Sequence, residues 1–297
     1  MRFANAPISY GVFGEITVAG ATTTDALLQA MAEAGYAGSE LGPPGFFGTI
    51  GQVTARFQAA GLTPAGAYVP LHTQDHGEAL TRDLARMEIT LDELASFDNP
   101  GPVILADEGN DILLRSPRKD PRLSLSHSGW GRLVDVVGSA AQRARERGLE
   151  VSFHPHISTY VELPWEIERL LSDTDISLTF DVGHIVLAGG DGVELFREWR
   201  DRINHIHIKD VRRSVLEDAR SQGRADFDQW WADVSTPLGE GDSELDTFAA
   251  AVVDSGYDGW IVVEQDRAPL TVASVTDVFA AQADNLTWLQ RHFLPPH

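Results

Sequence analysis

Residues 177–210 constrain this chain more than any other stretch. Two apolar runs, LTFDVGH (178–184) and HIHIKD (205–210), each break into Asp, His and Lys where a strand should end. Val, Ile, Leu and Phe ahead of those polar residues suit strands buried on both faces, and the amphipathic run 192–204 between them suits a crossover helix. Two further stretches, EVSFHPH (150–156) and WIVVEQD (260–266), finish in the same manner. Four strand ends carrying His, Asp, His and Glu are more than a packed core needs.

The rest of the chain keeps this beat. Strands are expected over residues 8–13, 38–41, 62–69, 102–106 and 150–154, at the two runs above, and over 259–264. Helices are expected over 23–34, 50–60, 79–94, 130–147, 163–171, 192–204, 244–255 and 275–293. Thr22 to Thr24 offer N-cap hydroxyls, Gly35, Gly61 and Gly148 close helices, and Pro164 stands near a helix start where its missing N–H costs little. Eight strand and helix pairs with right-handed crossovers predict an α/β fold, a (β/α)₈ TIM barrel, as a single domain over residues 1–297, with its site at the carboxyl ends of the strands. A doubly wound sheet should show a GxGxxG turn after an early strand, and none is present. Two irregular stretches remain. Residues 109–128 would overhang the strand ends as a lid or a mobile loop, and 212–234 would form helical excursions over the mouth.

Composition narrows the partners. A formal net charge of −21 argues against nucleic acid, which demands Lys and Arg concentrated on one surface. Cysteine is absent, which removes disulfides, thiolate nucleophiles and thiolate metal sites and fits a cytoplasmic protein. No run approaches the roughly 20 apolar residues of a membrane span, and the N-terminus lacks a signal-peptide core, so no membrane partner is expected.

On a strand, residues two apart share a face, so His154 pairs with His156, His205 with His207, and Glu264 with Asp266. Polar groups facing into a barrel must be satisfied by each other, by water or by a metal. His154, Asp181, His207 and Glu264 form a candidate ligand set for one divalent ion, Mn²⁺ or Co²⁺ first, with Zn²⁺ or Mg²⁺ as alternatives. A lone histidine at such a place is more often an ordinary hydrogen-bonding residue. Four donors on consecutive strands favour the ion, because Asp181 and Glu264 repel each other without one. Around the set, Lys209 shares the face of His207 and is expected to work as acid or base, or else to pair with Asp210 or a neighbouring strand's carboxylate. His184 follows Asp181 in DVGH, Glu40 and His72 end the second and third strands, and Arg213 lies just past the seventh.

Taken together, FHPHISTYVELPWEIERLL, FDVGHIVLAGGD, RINHIHIKDV, PLGEGD, GYDGWIVVEQD and SELGPPGFFG resemble the sugar isomerase/epimerase superfamily of xylose-isomerase-like barrels, with the inosose dehydratases as the nearest branch. The resemblance implies one divalent ion at strands five to eight, with Asp181, His207 and Glu264 matching its carboxylate, histidine and glutamate. It also implies substrate contacts from His184 and, near the matching arginine, from Arg213. Three departures stand out. Epimerases carry Glu where this chain has His154, and whether His154 or His156 binds the ion stays open. The HxGT sequence becomes His156, Ile157, Ser158, Thr159, and GEGDSELD is one residue longer than the usual turn. Homo-oligomers are common among such barrels, an expectation that comes with the resemblance alone.

The expectation is therefore a metal-dependent lyase, a dehydratase acting on a cyclic polyol ketone such as 2-keto-myo-inositol. Lys209 or Glu264 would remove the proton beside the ketone to give an enediolate, and His184 or Glu40 would protonate the departing hydroxyl. His72, His156 and Arg213 would bind the polyol or keto-sugar. The alternatives are a ketose or keto-inositol isomerase or epimerase, a 3-keto-glycoside lyase, a non-catalytic sugar-binding barrel and, more distantly, a phosphate-ester nuclease.

Overall fold

The computed structural model describes residues 1–12, 21–75, 77–115, 120–224 and 227–294. The barrel strands are β1 (Arg2–Asn5), β2 (Gly38–Glu40), β3 (Thr63–Leu71), β4 (Val103–Asp107), β5 (Val151–Phe153), β6 (Ser177–Asp181), β7 (Ile203–Ile208) and β10 (Trp260–Val263). They close in the order β1-β10-β7-β6-β5-β4-β3-β2, every neighbouring pair parallel. Two short antiparallel strands, β8 (Asp210–Val211) and β9 (Ser235–Thr236), form a ribbon above the mouth.

The helices are α1 (Thr24–Ala34), α2 (Ile50–Ala60), α3 (Glu78–Ala95), α4 (Asp111–Leu114), α5 (His127–Arg145), α6 (Pro164–Asp173), α7 (Val182–Leu187), α8 (Gly192–Trp199), α9 (Arg213–Ser221), α10 (Phe227–Val234), α11 (Leu245–Asp254) and α12 (Val275–Phe293). Thr23 caps α1 through its hydroxyl, and Gly35 and Gly61 end α1 and α2 in left-handed turns. None of the described helices is long and apolar enough to cross a membrane.

The first strand is not where its alternation suggested. Residues 2–5 pair with β10 and β2, while Pro7–Tyr10 form a 3-10 turn ended by Gly11. Pro7 has no N–H for a ladder, so the strand stops ahead of it; residue 13, the expected end, lies outside the described residues. The crossover between β6 and β7 also differs. A short helix, α7, starts directly on Asp181, and α8 ends at Trp199 with a 3-10 turn over Arg200–Arg202. The overhanging stretch 109–128 holds α4, a 3-10 turn at Pro121–Leu123 and the first turn of α5, which Ser126 caps; residues 116–119 lie outside the described residues. The second stretch supplies α9 and α10, as expected.

The period of two sorts each strand into two faces. Outward, Phe180 stacks on Phe248 at 5.7 Å and meets Phe196 edge-on. Inward, Ala4, Ala65, Trp260 and Val262 pack together. Beside them the interior turns polar: the hydroxyls of Ser152 and Thr179 lie 2.5 Å apart, and His205 is opposite Thr179 on one side and Trp260 on the other in the register. Asp181 and His207, opposite one another, form the next layer at the mouth.

Asp210 fixes the rim beside them. Its carboxylate accepts the N–H groups of Gly239, Gly241 and Ser243, so the long GEGDSELD turn is folded around one buried side chain. Gly241 is required there, since a Cβ would lie 2.3 Å from Asp210 Oδ1. Asp210→Ala removes the acceptor of three N–H groups at once, that of Ser243 buried and those of Gly239 and Gly241 partly so, and should lower the unfolding free energy by about 2 kcal/mol. A urea titration measures this, and Asp210→Asn, which keeps one acceptor, should lose less.

Candidate active site

Asp181 ends β6 and serves as the N-cap of α7, its Oδ1 accepting the His184 N–H at 3.0 Å. That bond aims Oδ2 at the barrel axis, where it has no hydrogen-bond partner. The sharp strand-to-helix corner needs Gly183, because a Cβ there would lie 2.9 Å from the Lys209 side chain. The motif DVGH is thus a cap, a corner and a close approach.

Ligand atoms of His154, Asp181, His207 and Glu264 all lie within 4.8 Å of one another. His154 Nε2 is 3.6 Å from Asp181 Oδ2, and His207 Nδ1 is 3.2 Å from Glu264 Oε2 and 4.0 Å from Asp181 Oδ2. Buried atoms without a hydrogen-bond partner among the described residues include both His154 nitrogens, Asp181 Oδ2 and His207 Nδ1. Buried polar atoms are normally satisfied, and donors around one divalent ion at about 2.1 Å each stand roughly this far apart. The residues present fit a cation. His156 is not in the group: its Nδ1 lies 2.6 Å from the Ile157 carbonyl.

Glu40 reaches across from β2 to this cluster. Its Oε1 accepts from Nε2 of both His205 (3.0 Å) and His207 (2.9 Å), which leaves His207 Nδ1 facing Asp181 and Glu264. Orienting a ligand histidine through its other nitrogen is a common arrangement around metal sites. Burial would raise the Glu40 carboxyl, but the two imidazoles override it and hold it down at about 2. Burial likewise opposes charge on His207, yet Glu264 and Glu40 on either side push its pKa well above the ordinary value. Glu40 is therefore ionised, and the expected role as proton donor does not suit it.

Lys209 is 1% exposed and its Nζ lies 2.8 Å from Asp266 Oδ2, 3.2 Å from Glu264 Oε2 and 3.8 Å from Asp181 Oδ2. Burial disfavours its charge, but three carboxylates outweigh that and raise its pKa. The role of base does not suit it, and of the two expected pairings the structure holds the one with a neighbouring strand's carboxylate, Asp266 just past β10, and not the one with Asp210. Asp266 behaves in the opposite way to Glu264. Burial, reinforced by Glu264, raises the Asp266 carboxyl despite Lys209. Glu264 is held well below the carboxylate range because His207 and Lys209 overcome its burial.

His184 is buried behind the cluster, its ring 3.9 Å from that of His156 and stacked on Trp231 at 5.8 Å. Burial and the neighbouring His156 push its pKa well down, so it is neutral and poorly suited to give up a proton. His72 lies on the cavity wall, paired with Asp83 at 2.8 Å. Arg213 does not reach the site; it is exposed on α9, its N–H donating to Asp242. At the altered HxGT sequence Ser158 stands at φ 65°, the left-handed region glycine favours, and its N–H donates to Glu162. Serine occupies a glycine-type turn without undoing it.

One cavity of about 1100 Å³ reaches the cluster, lined by Glu40, His154, His156, Lys209, Glu264 and Asp266, with Tyr68 and Trp231 beside them. Two residues with a place here were missed from sequence. Asp266 carried a signal, two residues after Glu264; Trp231 lay in a polar stretch with none.

The Glu40 bridge makes a prediction for acid unfolding. A carboxyl lowered from 4.5 to about 2 contributes stability that is present above pH 4.5 and is lost as the pH falls towards 2. In chelator-treated protein, Glu40→Gln should flatten this acid limb, removing up to about 3 kcal/mol of its pH dependence. Urea midpoints of both proteins between those pH values measure it.

The fold has known counterparts. A family model described as the xylose isomerase-like TIM barrel matches residues 28–292. An inosose dehydratase of Lacticaseibacillus casei is 34% identical over 172 residues, 56% of this chain and 58% of the relative, so the match spans little more than half of that protein's length. An inosose dehydratase of Geobacillus kaustophilus is 31% identical over 266 residues, covering 83% of this chain and 81% of the relative. Among solved structures, the IOLI protein with a bound zinc atom superposes with a TM-score of 0.74 at 12% identity, covering 99% of this chain and 100% of that one. The 3-keto-D-glucoside 4-epimerase of E. coli gives 0.71 at 17% identity, covering 98% and 99%. Those two likenesses concern the fold, whereas the model match runs through the strand ends that carry the cluster: the chain belongs to the xylose isomerase-like TIM barrel family.

Proposed function

We propose that this chain is a divalent-cation-dependent dehydratase acting on a cyclic polyol ketone such as 2-keto-myo-inositol. The observation that carries the reading is the convergence of ligand atoms from His154, Asp181, His207 and Glu264, those of the first three without a hydrogen-bond partner among the described residues, beside a buried Lys209–Asp266 pair that faces the cavity. The inosose dehydratases among its relatives support the same reaction, and the zinc atom of the IOLI protein supports a cation of this kind. When bound, the cation, Mn²⁺ or Co²⁺ by expectation, supplies Lewis acidity towards the oxygens of a hydroxyketone, worth several kcal/mol of charge stabilisation.

The chain's own residues supply the proton transfers. Asp266, with its raised pKa, is the carboxylate best matched to take the proton from the carbon beside the ketone. Lys209, held as an ammonium, is the donor to the departing β-hydroxyl. Glu40 keeps His207 in register. Trp231 and Tyr68 line the cavity beside these groups. Elimination is favoured over epimerisation because the epimerases' strand-five carboxylate is His154 here, so a base on that side of the ring is missing.

The test is product mass after incubating cation-loaded protein with 2-keto-myo-inositol and with ketohexoses. Loss of one water supports the dehydratase, a new isomer of unchanged mass supports an epimerase, and no conversion leaves a binding barrel. Two variants separate the roles. Asp266→Asn should lower kcat by about 10² to 10⁴-fold while Mn²⁺ still binds, whereas Glu264→Gln should lose Mn²⁺ binding and activity together, as calorimetry and turnover would show.

A further inference from the structure

The buried face of α12 is an apolar stripe of Val278, Leu286, Leu289 and Phe293, broken by two buried amides, Gln282 and Asn285, one helical turn apart. Both reach the same residue. Gln265 stands between Glu264 and Asp266, just past β10, and its side chain turns to the helix while theirs turn to the site. Its Oε1 accepts from Gln282 Nε2 at 2.9 Å and from Asn285 Nδ2 at 3.1 Å. Gln282 Oε1 in turn accepts from Asn5 Nδ2 of β1 at 3.0 Å, so the amides tie the end of β10 to the helix and to the neighbouring strand. The main chain is held as well. The Glu264 N–H still donates to Ile208 of β7, and the next N–H, that of Gln265, donates to Ser9 Oγ at 2.9 Å. That hydroxyl donates back to the Val263 carbonyl at 3.1 Å, so one serine brackets Glu264 on both sides. Stability alone does not call for these groups, since apolar side chains of the same shape in place of a hydrogen-bonded pair are close to neutral. Directional bonds do something an apolar contact does not: they admit one placement of residues 264–266 where loose packing would admit several.

Resting on the reading above, we propose that Gln282 is a positioning residue: through Gln265 it fixes where Glu264 and Asp266 stand, the one as a ligand to the cation and the other as the base. Removing the groups that orient a metal ligand commonly costs about 10 to 100-fold in affinity. Moving a reacting group by about 1 Å costs about 10²-fold in rate. A residue on the far side of the strand from the ion therefore has a measurable hold on both.

The probe is Mn²⁺, titrated by calorimetry into the chelator-treated full chain. Gln282→Met, which keeps the bulk and removes the amide, should weaken Mn²⁺ binding about tenfold or more. It should also lower kcat with 2-keto-myo-inositol about tenfold or more, with KM changed less than about threefold. Gln265→Met should do the same. The double variant Q265M/Q282M should bind Mn²⁺ no more weakly than Gln265→Met alone, because Gln282 acts through Gln265. Thr23→Ala, which removes the hydroxyl that caps α1, lowers the urea midpoint with Mn²⁺ binding unchanged and gives the baseline for lost stability. Should Gln282→Met not fold, Gln282→Asn, which withdraws the amide by one carbon, carries the same outcomes. Two results overturn the inference and leave the dehydratase reading standing: a lowered urea midpoint with Mn²⁺ binding and kcat within about twofold of the parent, or losses in the double variant that multiply those of the single ones. A parent chain that binds Mn²⁺ and converts no ketone overturns the dehydratase, and the calorimetry still decides this inference. A parent chain that does not bind Mn²⁺ overturns both.

Discussion

Charge balance at the barrel mouth governs this structure. Asp181, Glu264 and Asp266 crowd around one point, with Glu40 close behind His207. Desolvated carboxylates repel one another steeply, and only compensating cations allow them to stay ionised. The fold supplies Lys209 and, in the absence of an ion, a protonated His207 as two such charges, and a metal cation held at the free ligand atoms would take the place of the His207 Nδ1 proton. Much of the surrounding architecture serves to keep these groups dry and fixed: the α7 cap on Asp181, the Glu40 bridge to two imidazoles, and the Asp210 anchor beneath the rim loop.

The parallel barrel makes such an arrangement accessible to a reader of sequence. Strands buried on both faces give continuous apolar runs, so a sudden Asp, His or Lys marks the strand end, and the period of two tells which of those residues look inward. His154, Asp181, His207 and Glu264 were legible for that reason, as were α2 and α12 to the residue, bounded by glycine or by amphipathic periodicity. The first strand was not, because apolar alternation across residues 8–13 mimics a strand while Pro7 already forbids one. Long-range pairing was equally hidden. That Glu40 belongs to His205 and His207, Lys209 to Asp266, and His184 to Trp231 depends on which strand closes against which, and no local pattern encodes it. Arg213 shows the converse error, since nearness in sequence to β7 does not carry a side chain into the mouth once α9 turns it outward.

Two substitutions relative to the family pattern have different physical weight. Ser158 keeps a left-handed backbone at the altered turn, so it changes little beyond local strain. His154 changes the chemistry available. A carboxylate there would add a fourth negative charge near the cation and a base on the β5 side of the ring, whereas a neutral imidazole adds no charge and a nitrogen given to the ion is no longer free to act as a base. Two of the three carboxylates near Lys209, Glu264 and Asp266, then follow β10, on the other side of the cluster from His154. For a substrate with a hydroxyl or alkoxide one carbon further on, expulsion of that group is the outlet such a one-sided site leaves open, and the ammonium of Lys209 is placed to receive the developing charge. Within the proposed chemistry, the asymmetry between His154 on one wall and the Glu264, Asp266 and Lys209 trio on the other is what directs an intermediate shared with epimerases towards elimination.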